Sequence, residues 1–368
     1  MNTMLKSLGC LATGNTPSKK VIRYWNSNDI PFIKPADLKE NSIEMLSCGS
    51  DFISHEAEGY ARIAKKDTVL VTCIGIIGKV GIVTNENVAF NQQLTSITPN
   101  QSLVYPRYLA WNLVANKKRL QSMSNAPVVP IINKTQLSEF EIKVEQDLNT
   151  QRKISQVLDC IEHQLNLHFH KLEILDNLVK SRFVEMFGDP NTCTTANTIE
   201  DAFYIRDDLR KPLSGKERAA LRDGQLYPYY GANGQVDSIN AYLTDCDALC
   251  FAEDCGSYGS DENTAYIIRG KAWVNNHAHL LIPKYQNFLE YARIFYLLLD
   301  VNRYISGTTR AKLTQAQLKR ICIHIPSEKQ LAEFADFVSQ VDKLRFAAQK
   351  QIEKLETLKK SLMQEYFG

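Results

Sequence analysis

Three groups of residues in this 368-residue chain have types and spacings that could do chemistry. Glu141-Ile-Lys143 matches the acid-x-Lys half of a nuclease metal site, but between Asp67 and Glu139 the only carboxylate is Glu86. A hard cation needs more oxygen ligands than that. His277-x-His279 would put two imidazoles on one face of an extended segment, with Cys246, Cys250 and Cys255 upstream. That spacing fits no zinc finger, and structural histidines with buried free thiols account for it more simply. Gly75, Gly78 and Gly81 surround Lys79, yet no helix follows as a phosphate-cradling loop requires, so they read as turns between strands. A GxxxxGK[ST] loop is absent, as is a glycine-rich turn opening a nucleotide-binding helix. The chain has no Pro-Pro and hence no Asn/Asp-Pro-Pro-aromatic methyltransferase loop. It reads as non-catalytic, without a metal site.

Other stretches carry residues that read bases or grip phosphates. In the first half these are Thr16-Pro-Ser-Lys-Lys-Val-Ile-Arg-Tyr-Trp25, Gly75-Ile-Ile-Gly-Lys-Val-Gly81 and Phe90-Asn-Gln-Gln93. In the second half they are Pro228-Tyr-Tyr-Gly-Ala-Asn-Gly234, Asn275-Asn-His-Ala-His279 and Gly307-Thr-Thr-Arg-Ala-Lys312. Asn and Gln pair bidentately with adenine, Arg and Lys with guanine, and glycine turns bring backbone N–H groups near phosphate. Each stretch alone is a weak signal, and Tyr229-Tyr230 before Gly231 reads first as turn-flanking core.

The elements that must position these stretches come in duplicate. Sliding the chain by 180 residues pairs Ile161 with Val341, Leu172 with Ile352, Leu175 with Leu355, Ser181 with Ser361 and Phe187-Gly188 with Phe367-Gly368. Upstream, Leu137 to Val144 pairs with Leu318 to Ile325, and the alternation of Phe140, Ile142, Val144 against Ile321, Ile323, Ile325 predicts a half-buried strand in each copy. Ile154, Leu158, Ile161, Leu165, His168, Leu172, Leu175 and Val179 step by 4 and 3, the seam of a coiled coil with one polar position. His163 and His170 fall on other faces. The second copy runs Phe334, Val338, Val341, Arg345, Ala348, Ile352, Leu355. Residues 151–185 would make a helix of roughly 50 Å, ended by Gly188-Asp189-Pro190. A helix that long with one apolar stripe needs a partner along its length, and the other copy, antiparallel, is the simplest.

Composition sets the outer limits. The chain is 44% hydrophobic and 23% charged with net charge +2, ordinary globular values that exclude a coat of bulk positive charge. Residues 1–140 carry a modest basic excess, residues 191–325 none, and both long helices are charge-balanced, a poor surface for phosphate. Nine scattered cysteines with no CxxC predict free thiols in a reducing compartment. The opening MNTMLKSLGC lacks a signal-peptide core, and the most apolar stretch, Val69–Val83, is too short and too interrupted to span a bilayer. Short apolar runs at Thr68–Thr72, Gly81–Thr84, Ala248–Phe251 and His279–Ile282, with helices over Pro106–Gln121 and Phe288–Leu299, make each block mixed.

Two variable blocks alternating with two related helices, the first ending Phe-Val-Glu-Met-Phe-Gly-Asp-Pro190, resemble the specificity subunits of type I restriction–modification systems. Asp29-Ile-Pro-Phe-Ile-Lys-Pro-Ala-Asp-Leu38, Phe90-Asn-Gln-Gln-Leu94, Ser96-Ile-Thr-Pro-Asn100 and Gly307-Thr-Thr-Arg-Ala-Lys-Leu-Thr314 add to the likeness, which covers essentially the whole chain. The resemblance implies an α+β fold of two mixed target recognition domains, 1–145 and 191–326. Two helical spacers, 146–190 and 327–368, would pair as an antiparallel coiled coil about an internal pseudo-twofold. It implies double-stranded DNA as ligand, read as two half-sites, with methyltransferase subunits (two of them) and restriction subunits as partners. S-adenosylmethionine, ATP and Mg would sit on those partners and none on this chain, in a bacterial or archaeal cytoplasm, away from membranes. Lys19, Lys20, Arg23, Lys79, Asn91 and Gln92 are the DNA-contact candidates of the first domain. Tyr230, Asn233, Asn276, His277, Arg310 and Lys312 are those of the second, with Asn-Asn-His reading also as scaffold. The competing reading is a coiled-coil assembly protein whose blocks bind other proteins; its affinities would be insensitive to salt, whereas phosphate contacts weaken steeply.

Overall fold

The computed structural model describes residues 1–124, 129–254, 264–305 and 311–368. It forms two units, Met1–Phe169 with Lys350–Gly368, and His170–Gln349, so each holds one globular block and a piece of both long helices.

In the first unit Val69–Thr72 and Val80–Val83 are rich in β-branched residues and buried throughout, which places them inside a sheet rather than at its edge. The sheet order is Gly9–Thr13, Leu94–Pro99, Val69–Thr72, Val80–Val83, Ile43–Leu46. A second sheet runs Asp51–Ile53, Ile30–Ile33, Val88–Phe90, Ile63–Ala64, its central pair parallel. Proline at the first position opens the helix Pro106–Ala115, which buries Tyr108, Leu109, Trp111 and Leu113 beside the first sheet. The single helix expected over Pro106–Gln121 is two, Pro106–Ala115 and Lys117–Ser122. Asn116 leaves the helical conformation, and its amide donates to the carbonyl and side chain of Asn112.

The second unit repeats this plan. Phe203–Ile205, Ala278–Pro283, Ala248–Ala252 and Ala265–Ile268 form one sheet. Gly234–Ile239, Tyr227–Gly231, Lys271–Val274 and Thr244–Asp245 form the other, again with one parallel pair at its centre. The register also repeats: Thr72 faces Leu94 in one unit, as Ala252 faces Ala278 in the other. Glu141–Lys143 pairs antiparallel with Asn2–Met4. The strand expected over Ile321–Ile325 is reduced to one bridge between Cys322 and Thr198, although Ile321 and Ile323 are buried. The Thr195 hydroxyl, rather than a backbone N–H, donates to the Ile323 carbonyl, and the ladder stops there.

The long helices run Leu148–Phe187 and Glu328–Phe367, 40 residues each. Each begins at a side-chain cap formed by residues close in sequence. The Asp147 carboxylate accepts from the Thr150 hydroxyl and backbone N–H, bonds that hold it below its usual range. Ser327 and Gln330 exchange bonds as a capping box. Gly188, at φ +81°, ends the first helix in the left-handed conformation that glycine adopts without penalty. Within the first unit Ile154 and Leu158 pack with Leu362, Tyr366 and Phe367, and Glu162 pairs with Lys359 at 2.5 Å. Within the second, Val179 and Phe183 pack with Phe334 and Val338, Arg182 pairs with Glu333 at 2.7 Å, and Arg345 pairs with Asp176. In both units rising numbers on one helix meet falling numbers on the other, so the pair is antiparallel. Leu158, Ile161, Leu165, Leu175, Val338, Val341 and Ile352 are buried, while Ile154, His168, Leu172 and Leu355 are half-buried.

Candidate nucleic-acid interface

The same turn follows the central parallel strand in each unit. In the first it is Asn91-Gln92-Gln93: the Asn91 N–H donates to the Ile33 carbonyl, and its side-chain oxygen accepts from the Gln93 N–H. In the second it is Asn275-Asn276-His277, with Tyr230 replacing Ile33 and the His277 N–H donating to Asn275. Both first asparagines are buried and spend their side chains on the turn. Asn91 is therefore placed as scaffold, and the middle residues, Gln92 and Asn276, are the exposed ones. A second strand end reaches each turn: Cys73 donates its N–H to the Gln93 carbonyl and accepts from Ile132, and Glu253 does the same with His277 and Leu313. Cys73 and Glu253 thus occupy one structural position, as do Ile131 and Lys312.

Around the first turn the residues are basic, aromatic and apolar. The Thr16 hydroxyl donates to the Gln92 side-chain oxygen at 2.5 Å, and the Asn15 amide to the Tyr60 carbonyl at 2.8 Å. Tyr60 stacks on Tyr24 at 5.0 Å. Lys19 lies over Trp25 and Arg23 over Tyr24, both at 5.7 Å, and Arg23 also meets Glu56 at 3.4 Å. Lys19, Lys20, Arg23 and Gln92 are all exposed on this connected surface. Lys79 is half-buried, with its ammonium on the Pro35 carbonyl at 3.2 Å. Ile76, Val129 and Ile131 are exposed apolar side chains on the adjoining segments, joined by a bridge between Ile74 and Ile131. Burial pushes the Cys73 thiol up to about 11.

Gly14 lets the chain pass against the base of this turn. A Cβ there would lie 2.2 Å from the Asn91 carbonyl oxygen and 2.5 Å from that of Phe90. Gly14→Ala is expected to cost about 1–3 kcal/mol through overpacking. Urea unfolding of the full chain measures it, and a loss below a few tenths would contradict the fit.

Around the second turn the residues are charged and mutually paired. Arg210 donates to Glu253 at 2.7 Å and to the Ala278 carbonyl at 3.0 Å, and pairs with Asp207 at 3.0 Å. Lys312, exposed, reaches Glu253 at 2.9 Å. His279 is buried, with one ring nitrogen 2.7 Å from Asp207 and the other 2.8 Å from the Leu313 carbonyl. His277 is half-buried with its Nδ1 2.8 Å from Asp254. Burial raises the Asp207 and Glu253 carboxyls, but His279 and Arg210 on the first, and Lys312 and Arg210 on the second, outweigh it and hold both below their usual range. Tyr230 is half-buried, stacked on Tyr266 at 5.5 Å and pushed upward by burial; Asn233 is exposed at the hairpin tip. Arg310 and Cys255 lie outside the described residues.

Among the described residues, no group of three or more His, Cys, Asp or Glu is placed to hold a metal ion. Lys143 of the acid-x-Lys pattern donates to the Gly368 carbonyl at 3.1 Å. No described helix is long and apolar enough to cross a membrane. Sequence reasoning missed Asp207, Arg210 and Glu253, whose positions, up to 46 residues apart, carry no local motif.

Residues 2–176, and again 198–357, match the type I restriction modification DNA specificity domain. The chain belongs to that family. Its two matched segments fall on the two repeated blocks and most of both helices. Over 213 residues it is 30% identical to the MjaIX specificity subunit of Methanocaldococcus jannaschii, covering 57% of this chain and 47% of that protein. It is 32% identical over 130 residues to a putative type I specificity subunit of Haemophilus influenzae, 32% of whose length it spans. A longer, weaker likeness, 19% over 352 residues, joins it to the EcoprrI specificity subunit of Escherichia coli, with 91% of this chain and 85% of that one covered. The specificity subunit structure from M. genitalium shares the fold at TM-score 0.65 and 16% identity, covering 100% of this chain and 96% of that one. A chain from a structure concerned with complex assembly and conformational transition of the type I system gives TM-score 0.59 at 12% identity, covering 100% and 97%.

Proposed function

We propose that this chain is the non-catalytic DNA-recognition subunit of a type I restriction–modification complex, each unit reading one half of a bipartite site in double-stranded DNA. The observation that carries this is a turn of the same backbone design in both units with different side chains displayed on it: Gln92 in one, Asn276 in the other. A shared scaffold with different exposed residues suits two modules that read different base sequences. On this reading the paired helices set the interval between half-sites and dock two methyltransferase subunits, with restriction subunits joining them. The family resemblance and the relatives' names support these roles. S-adenosylmethionine, ATP and Mg belong to the partners, and the complex works in the cytoplasm.

The test is to co-express the chain with the methyltransferase subunit of its system, in a host lacking adenine methylation, and map N6-methyladenine genome-wide. Two short half-sites around a fixed gap are expected, and exchanging residues 1–140 should change one half only. Methylation at no defined motif, despite a stable complex, would move the protein to the assembly reading.

A further inference from the structure

The second recognition turn is gripped from inside by a guanidinium, and among the described residues the first turn has no equivalent. Besides Glu253 and Asp207, Arg210 donates to the Ala278 carbonyl at 3.0 Å and lies 3.5 Å from that of Asn276, so it spans the turn that exposes Asn276. Glu253 also takes Lys312 at 2.9 Å, tying in the segment before Leu313. Asp207 takes His279 at 2.7 Å and the Leu280 N–H at 3.2 Å, tying in the strand after the turn. Two carboxylates thus balance Arg210 and Lys312, with Arg210 at the centre. Its side chain is only 13% exposed, so the guanidinium acts on backbone rather than on solvent or a ligand. In the first unit the position of Glu253 is Cys73 and that of Lys312 is Ile131, and the turn is held by neutral bonds from Thr16 to Gln92 and between Asn91 and Gln93.

We propose that Arg210 is a positioning residue for DNA specificity: its ionic clamp fixes the Asn275–His277 turn in the conformation that reads the second unit's half-site. This rests on the DNA reading above. A planar fork can hold two carbonyls and two carboxylates together, and an ammonium at the same place cannot. Without the fork the turn samples several conformations and Asn276 no longer presents one hydrogen-bonding pattern to a base edge.

The experiment is the methylation map above, run in parallel on the wild-type chain, R210M and R210K, with thermal unfolding of each complex. Exchange of residues 1–140 assigns the halves. The expected result is a wild-type bipartite motif whose second half degenerates in R210M, by about tenfold or more in discrimination at one or more positions, while the first half is unchanged. If R210M abolishes methylation through misfolding, R210K decides: it keeps the charge, and the same second-half relaxation at an unchanged melting temperature supports the clamp. Two unaltered halves in a folded variant, or relaxation of the first half, overturns the proposal. A wild-type map without half-sites instead defeats the DNA reading itself.

Discussion

Replacing Phe183 by alanine is expected to destabilise the second unit by about 3–5 kcal/mol, the range for a fully buried aromatic whose cavity cannot collapse. Phe183 sits near the end of the first long helix, 1% exposed, with ring contacts to Phe187, Tyr291, Phe295 and Phe334 at 5.1–6.5 Å. Those partners belong to both long helices and to the helix Phe288–Leu298, so the one ring packs against three elements at once. Flat stacked and edge-on rings cannot close over the vacated volume without giving up their own geometry. Phe346 is the control, being 71% exposed in the same unit; its alanine variant should stay within about 0.5 kcal/mol. Urea unfolding followed by circular dichroism separates the two, and a Phe183→Ala loss below about 1 kcal/mol would show that the aromatic cluster is not the keystone of that unit.

Neutralising Lys19, Lys20 and Arg23 together is expected to weaken binding to every duplex alike and to flatten the salt dependence. The log–log slope should fall by about one for each phosphate that the protein no longer neutralises. All three side chains are exposed on one segment beside Gln92, and the Arg23–Glu56 pair is too solvated to occupy the arginine. In the second unit two of the described cations beside the turn are already paired: Arg210 with Asp207 and Glu253, Lys312 with Glu253. Lys312→Ala should therefore leave the slope almost unchanged. Titrating the full chain on a fixed duplex from low to moderate salt measures both variants. Equal slopes for wild type and the triple variant would place the phosphate contacts elsewhere, and no salt dependence at all would favour the assembly reading.

Much of the architecture was determined by the sequence alone, because periodicity and local chemistry write themselves into consecutive residues. The 4-and-3 spacing from Ile154 to Val179, the 180-residue repeat, the stop at Gly188 and the capping residues Asp147 and Ser327 need no distant partner to act. Inside the blocks that determinacy fades. A side-chain hydroxyl from Thr195 ends a ladder that alternation over Ile321–Ile325 would have continued, and Asn116 splits a helix through bonds to Asn112. Which polar residues reach the surface was decided only by the tertiary structure. Asn91 and Gln92 are neighbours of similar type, yet one is consumed by its own turn and the other displayed. Arg210 and Glu253 lie 43 residues apart with nothing in either neighbourhood to link them. Hydrogen-bond and ion-pair satisfaction is a property of three-dimensional neighbours, so the chain could announce its repeat and its helices, while the difference between its two turns had to wait for the fold.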